Sequence, residues 1–274
     1  MQFVQAFVLG IIQGITEFLP ISSSGHLIFV PKILGWSDQG MAFDVMVHLG
    51  TLFAVVWYFR KRIFLLLKNV FPKYSGKEKK WVISDPLNFR LAWFVGLSII
   101  PAGIVGFLFN DYVETNFRDS SFVALGLVFW GIVLGIADWY GKKKQNKKTV
   151  DSLRFTNVLA ISFAQAIALM PGTSRSGITM TTGLFSGLTK KAAAEFSFLM
   201  SIPIIFIAGM TTLKDVLDVG ITSSEISVMT IGFFSAVFSG YLAVAFLMRI
   251  IEKYGYSLFV WYRIILGVLI LLFL

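Results

Sequence analysis

Residues 171–177 read PGTSRSG and place an arginine among small hydroxyl residues and glycines, with apolar chain on both sides (AQAIALM before, ITMTTGLF after). A charged side chain at membrane depth costs about 3 kcal/mol or more unless it meets a cavity or a partner. Pro171, Gly172 and Gly177 interrupt regular helix, and a broken backbone inside a membrane must find partners for its own polar groups. Thr173, Ser174, Ser176 and the free N–H groups of a helix start would converge with Arg175 on one spot. That combination binds an anion, and phosphate is the natural one. The bland alternative is a kinked helix whose Arg175 pairs with a buried carboxylate for structure alone.

A second polar cluster lies near the start of the chain, in QGITEFLPISSSGH (13–26). Gln13 and Glu17 are four apart and share one helix face. Ser22, Ser23, Ser24 and His26 follow Pro20. A hydroxyl becomes a nucleophile when a neighbouring base takes its proton, and histidine is the usual base near neutral pH. An arginine and backbone N–H groups would hold phosphate oxygens and stabilise charge developing on them. A carboxylate could orient the histidine or ligate a hard divalent cation. Glu17 could also simply pair with Arg175, and His26 alone would be a hydrogen-bonded structural histidine. His48 has no polar cluster near it in sequence and reads as structural or peripheral. Asp44 reads as water-facing and Asp138 as interfacial. Glu195 reads as a helix-start acid or as a group reaching the Arg175 segment.

The elements that carry these clusters are membrane helices. Of the 274 residues 56% are hydrophobic and 14% charged, against about 25% charged in soluble domains. This is an all-α polytopic membrane protein. Its net charge of +9 comes mainly from two loops, the signature of cytoplasmic loops and not of nucleic-acid binding. Without cysteine, disulfides, thiol catalysis and thiolate metal sites are excluded. The first ten residues carry no basic region, so no cleaved signal peptide is expected.

Residues 3–19 are apolar but short for a span and run straight into the polar break, so 3–19 with 27–35 reads as a re-entrant hairpin. Residues 42–59 form the first full span. The 60–90 loop carries nine Lys/Arg and is placed in the cytoplasm, with 64–71 on the membrane surface. Residues 91–109 cross outward with a kink at Pro101, 110–121 form an outer turn, and 122–140 cross back to a second basic loop at 141–154. Residues 155–170 lead into the PGTSRSG break and a second hairpin. Spans at 194–213, 226–248 and 258–274 complete six crossings and two re-entrant hairpins.

The halves resemble each other. Gln13 to Gly25 and Gln165 to Gly177 are each twelve residues apart and share an offset of 152, with a proline and a serine cluster inside. Each half is a hairpin plus three spans, so the second copy must be inverted, and the two tips can meet near the midplane. The expected plan is one integral domain over 1–274, with repeat 1 at about 1–140 and repeat 2 at about 155–274.

At these two hairpins the sequence resembles the bacterial undecaprenyl-diphosphatase, or bacitracin-resistance, family. The first stretch is similar to that family's (E/Q)xxxE plus serine–histidine signature and the second to its PGxSRSxxT signature; AAAEFSFLMSIP (192–203) is similar to the segment after it. The resemblance covers essentially the whole chain. It implies an inner-membrane enzyme that converts the C55 isoprenyl diphosphate carrier to the monophosphate, recycling it for peptidoglycan and conferring bacitracin resistance. It also implies inverted repeats, a homodimer, a site open to the outer face, and a divalent metal, Mg²⁺ or Ca²⁺. Matched position by position, it implies catalytic roles for Glu17, Ser23, His26 and Arg175. Phosphate contacts would come from Gln13, Ser22, Ser24, Gly172, Thr173, Ser174, Ser176, Gly177 and Thr179. Gln13 stands where many members have a first glutamate, so Glu17 is the one carboxylate this helix offers a metal. The nucleophile stays open among serine, histidine and water. The competing reading is a lipid or small-anion transporter or flippase on the same scaffold, which needs no nucleophile or base; a non-catalytic interaction protein leaves the buried charges without a reason.

Overall fold

Small residues decide how closely these helices approach. In lipid, helix pairs gain little from apolar burial and pack instead through glycine, alanine and serine contacts. The computed structural model describes residues 3–75, 80–117, 119–143, 148–219 and 223–274. The middle of each basic loop, 76–79 and 144–147, expected in the cytoplasm, and Arg118 in the expected outer turn lie outside the described residues.

The first segment, α1 (Phe3–Phe18), turns and returns as α2 (Ser23–Leu34). There follow α3 (Met41–Tyr58), α4 (Arg60–Asn69), a small antiparallel hairpin of β1 (Lys73–Ser75) and β2 (Lys80–Val82), α5 (Pro86–Leu97), α6 (Ile99–Asn116) and α7 (Ser120–Lys143). After a short 3-10 turn at Val150–Ser152 come α8 (Phe155–Ile167), α9 (Arg175–Phe185), α10 (Lys190–Val219), α11 (Ser223–Tyr254) and α12 (Ser257–Phe273). Five helical segments are long and apolar enough to cross a membrane: Met41–Tyr58, Pro86–Phe109, Ser120–Lys143, Lys190–Thr212 and Glu225–Tyr254. The chain is a helical, multi-pass membrane protein. α12 is strongly apolar but has 17 residues.

The helices overrun the expected spans. α6 continues to Asn116 and α7 begins at Ser120, so most of the expected outer turn is helix. The break between α5 and α6 falls at Ser98 instead of at Pro101. Pro101 has no N–H for the Leu97 carbonyl and its ring crowds that turn, so the ladder fails just before it. The Ser98 carbonyl at the break accepts from Gln165 Nε2 at 3.2 Å. Gln165 is the counterpart of Gln13, so the matched glutamine in the second half serves the scaffold. The β1–β2 hairpin has no counterpart in the sequence reading; its Tyr74 and Trp81 form an edge-to-face pair at 5.7 Å.

Each hairpin packs into the opposite half. α1 lies along α11 and α3, while α8 lies along α6, and α9 against α7 and α10. The α1–α11 seam is close enough that a Cβ at Gly10 would sit 2.5 Å from the Gly232 carbonyl, and one at Gly14 would overlap Ser239 Oγ. This seam sets the rotation of α1 and turns Gln13 and Glu17 inward, where both are buried.

Candidate active site at two helix breaks

Each hairpin turns at a serine in an unusual conformation. Ser22 has φ 73 and ψ 94, and Ser174 has φ 68 and ψ 110. They are the only non-glycine residues with positive φ among the described residues, and they are 152 positions apart. Such backbone costs about 1–3 kcal/mol and persists where its surroundings over-determine it. The hydroxyls repeat as well: Ser22 Oγ lies 3.2 Å from Ser24 Oγ, and Ser174 Oγ 3.3 Å from Ser176 Oγ.

The residue after each strained serine opens a helix, Ser23 for α2 and Arg175 for α9, and both reach Glu17. Arg175 Nη2 donates to Glu17 Oε1 at 2.5 Å. Ser23 Oγ donates to Oε2 at 2.7 Å, and Gln13 Nε2 to the same oxygen at 3.2 Å. The second tip is tied to the first by Ser176 Oγ, which donates to the Leu19 carbonyl at 3.1 Å. Ser174 Oγ caps α9 by accepting from the Gly177 amide at 3.1 Å. Thr179 Oγ1 lies 2.8 Å from the Arg175 carbonyl and 2.7 Å from Ser197 Oγ. Gln13, Glu17, Ser23 and Arg175 therefore meet, while Ser22, Ser24, Ser174, Ser176, Gly177 and Thr179 build the turns that present them. Gly172 and Thr173 present their carbonyls to Arg263 of α12.

The Glu17–Arg175 pair of the bland alternative is present but does not close on itself. Arg175 Nη1 and Gln13 Oε1 are buried without a hydrogen-bond partner. Buried polar atoms are rarely left so, and here a spare donor and a spare acceptor sit on either side of one carboxylate. Among the described residues there is no group of three or more His, Cys, Asp or Glu placed to hold a metal. The protein supplies one carboxylate and one free amide oxygen. That set fits a hard divalent cation only if phosphate oxygens and water complete its shell, as Mg²⁺ sites commonly do.

His26 is not on Glu17 or Ser23. A backbone carbonyl only accepts, so Nδ1 carries the proton and donates to the Ser22 carbonyl at 2.7 Å; Nε2 then accepts from the Tyr262 hydroxyl at 2.6 Å. A carbonyl and a tyrosine orient this ring, where the sequence offered a carboxylate. His48, read as structural or peripheral, comes to the site instead: Nε2 is 3.8 Å from Glu17 Oε2, while Nδ1 donates to the Asp44 carbonyl at 2.7 Å. Glu195 pairs with Arg62 at 3.5 Å and not with the Arg175 hairpin. Asp138 is buried, between Lys142 at 3.0 Å and Lys190 at 3.6 Å. Asp44 accepts from the Gln39 amide at 3.0 Å.

α12 brings two residues that the hairpin motifs do not announce, Tyr262 and Arg263. Arg263 is fully buried. The available signal was the one that exposed Arg175, a lone arginine within an apolar run.

Two broken helices that converge on a buried carboxylate, a hydroxyl and an arginine with a free donor define a membrane protein with a polar cluster buried inside its helix bundle. The chain belongs to the bacitracin resistance protein BacA family, whose model matches residues 6–269. It is 45% identical over 271 residues to undecaprenyl-diphosphatase 2 of Stutzerimonas stutzeri (strain A1501), covering 99% of this chain and 98% of the relative. It is 45% identical over 273 residues to the undecaprenyl-diphosphatase of Campylobacter curvus (strain 525.92), covering 99% and 98%. To the undecaprenyl-diphosphatase of Hahella chejuensis (strain KCTC 2396) it is 44% identical over 269 residues, covering 97% and 96%.

Proposed function

We propose that this chain is an undecaprenyl-diphosphate phosphatase, removing the terminal phosphate of a C55 isoprenyl diphosphate and so returning the carrier lipid to peptidoglycan synthesis. The observation that carries this beyond the names of its relatives is the position of Ser23. Its hydroxyl is bonded to a buried carboxylate, beside an arginine with a free donor. Transport needs no such nucleophile–base pair.

In the reaction, Arg175 turns its free Nη1 to the terminal phosphate and holds it in line with Ser23 Oγ. As Oγ attacks phosphorus, its proton passes to Glu17 Oε2, and the bridging P–O bond breaks to release the lipid monophosphate. Water then attacks the phosphoserine, the Oγ–P bond breaks, Glu17 returns the proton to Ser23, and inorganic phosphate leaves carrying both protons of the water. Arg175 and the N–H groups of the two helix starts stabilise the charge that builds on the phosphoryl oxygens. Glu17 and Gln13 Oε1 would hold a divalent cation, which would neutralise phosphate charge.

Purified protein in detergent is expected to release phosphate from a long-chain isoprenyl diphosphate, and to lose that release when Mg²⁺ and Ca²⁺ are chelated. Folded protein that binds the lipid but releases nothing would move the reading to a flippase. Release indifferent to chelation would remove the cation.

The layout that serves this reaction has six crossings, α12 included, and two re-entrant hairpins in inverted repeats within the bacterial inner membrane. The arms of 16, 12, 13 and 11 residues fall below the range of about 17–25 residues for a span, which the 17-residue α12 just reaches. The pocket opens to the outer face; His48 lies about 10 Å along α3 from the end opposite the basic loop. A single cysteine at Ser75 is expected to react only with reagent on the cytoplasmic side, and labelling from outside would reverse the map.

A further inference from the structure

Arg263 sits in the middle of α12, in the apolar run SLFVWYRIILGVLILLF, and is 0% exposed. No carboxylate pairs with it among the described residues; its partners are five backbone carbonyls. Nε donates to Leu127 at 3.2 Å, and Nη2 lies 3.4 Å from the Gly126 carbonyl, both on α7. Nη2 also reaches the Gly172 and Thr173 carbonyls, each at 2.9 Å, and Nη1 the Pro20 carbonyl at 3.4 Å. One guanidinium thus bonds a membrane helix and the tips of both hairpins at once. The planar fork of arginine can do this, with five N–H groups in fixed directions; an ammonium has three donors on a flexible stem.

Three of these carbonyls lie one or two residues before the strained serines, Pro20 ahead of Ser22, and Gly172 and Thr173 ahead of Ser174. In a planar trans peptide the carbonyl and the following N–H point opposite ways. Holding the Thr173 carbonyl against Arg263 therefore turns the Ser174 amide away from it. The approach is tight enough to need glycines. A Cβ at Gly172 would overlap the Val123 carbonyl, and one at Gly177 would lie 2.7 Å from Arg263 Nη1. Arg263 is enclosed and occupied by carbonyls, whereas Arg175 keeps a free donor. The two arginines are therefore not equivalent.

We propose that Arg263 is the positioning residue of this site, the clamp that holds both helix breaks in their strained conformations so that Ser23 and Arg175 face Glu17 together. The catalytic consequence rests on the phosphatase reading; the clamp itself does not. Lysine at 263 keeps the charge but has three donors on a flexible stem for the five carbonyls, and a misplacement of about 1 Å costs about 100-fold in rate. The full-length Arg263→Lys and Arg263→Gln proteins are compared with wild type by two readouts. Steady-state phosphate release is expected to show kcat lowered about 100-fold in the lysine variant and further in the glutamine variant, with KM within about 3-fold. Backbone hydrogen exchange is expected to speed up at both tips, residues 19–24 and 171–177, in each variant, while α3 and α11 stay protected. A lysine variant with wild-type kcat, or a loss confined to KM, overturns the positioning role. Exchange that rises along α7 and α12 but not at the two tips also overturns it, since that marks ordinary helix packing. If the wild-type protein releases no phosphate, the phosphatase reading fails, and exchange at the two tips still decides for or against the clamp.

Discussion

Arg175→Ala is expected to lower phosphate release by about 10³-fold, the scale seen when one donor to a developing anion is removed. The loss should be in kcat more than in KM, because Nη1 meets its full charge only as the phosphoryl group transfers. Arg175→Lys keeps a cation without the fork and should recover little of it. The alanine variant also strands Glu17, and breaking a buried pair from one side destabilises by about 3–5 kcal/mol. A melting measurement must therefore accompany the assay, and phosphate release counts only for protein that remains folded. Turnover near wild type in folded Arg175→Ala would return Arg175 to a purely structural role.

Glu17→Gln is the sharper test, because it separates the pair from the chemistry. Glutamine keeps the shape of Glu17 and still accepts from Ser23, but it neither balances Arg175 nor takes a proton. Phosphate release should fall about 10³-fold, within the range for loss of a general base. Adding Arg175→Gln removes the stranded charge. In the double variant thermal stability should return toward wild type while activity stays lost. If Glu17 and Arg175 were only an ion pair, the double variant would recover both. Single-turnover phosphate release and melting temperature on the four proteins of the cycle measure the coupling directly.

Much of this site was written in the sequence because membranes make polar residues conspicuous. Proline, glycine, hydroxyls and charge stand out inside apolar chain, and the offset of 152 residues led to two breaks that share one backbone geometry. The arms α1, α2, α8 and α9 and the spans followed from apolar runs, though the helices run past the expected ends. Proximity across the fold was not legible. His48 shares no local pattern with Glu17 and reaches it only because α3 packs beside α1. His26 read as a base for the neighbouring hydroxyls, but its ring is turned to the Ser22 carbonyl and to Tyr262, 236 positions away. Arg263 was hidden by the strength of the motifs elsewhere.

The two strained serines occupy matched places, yet their next residues differ: Ser23 in one half and Arg175 in the other, with Glu17 matched by Leu169. Two identical half-chains arranged about the same axis would present two serines with two carboxylates, or two arginines with none. Neither arrangement sets a hydroxyl and a cation against one shared acid. The pocket is heteropolar because its halves differ, one bringing a hydroxyl and a carboxylate and the other a guanidinium. A single covalent chain guarantees that the unlike halves always meet in equal number.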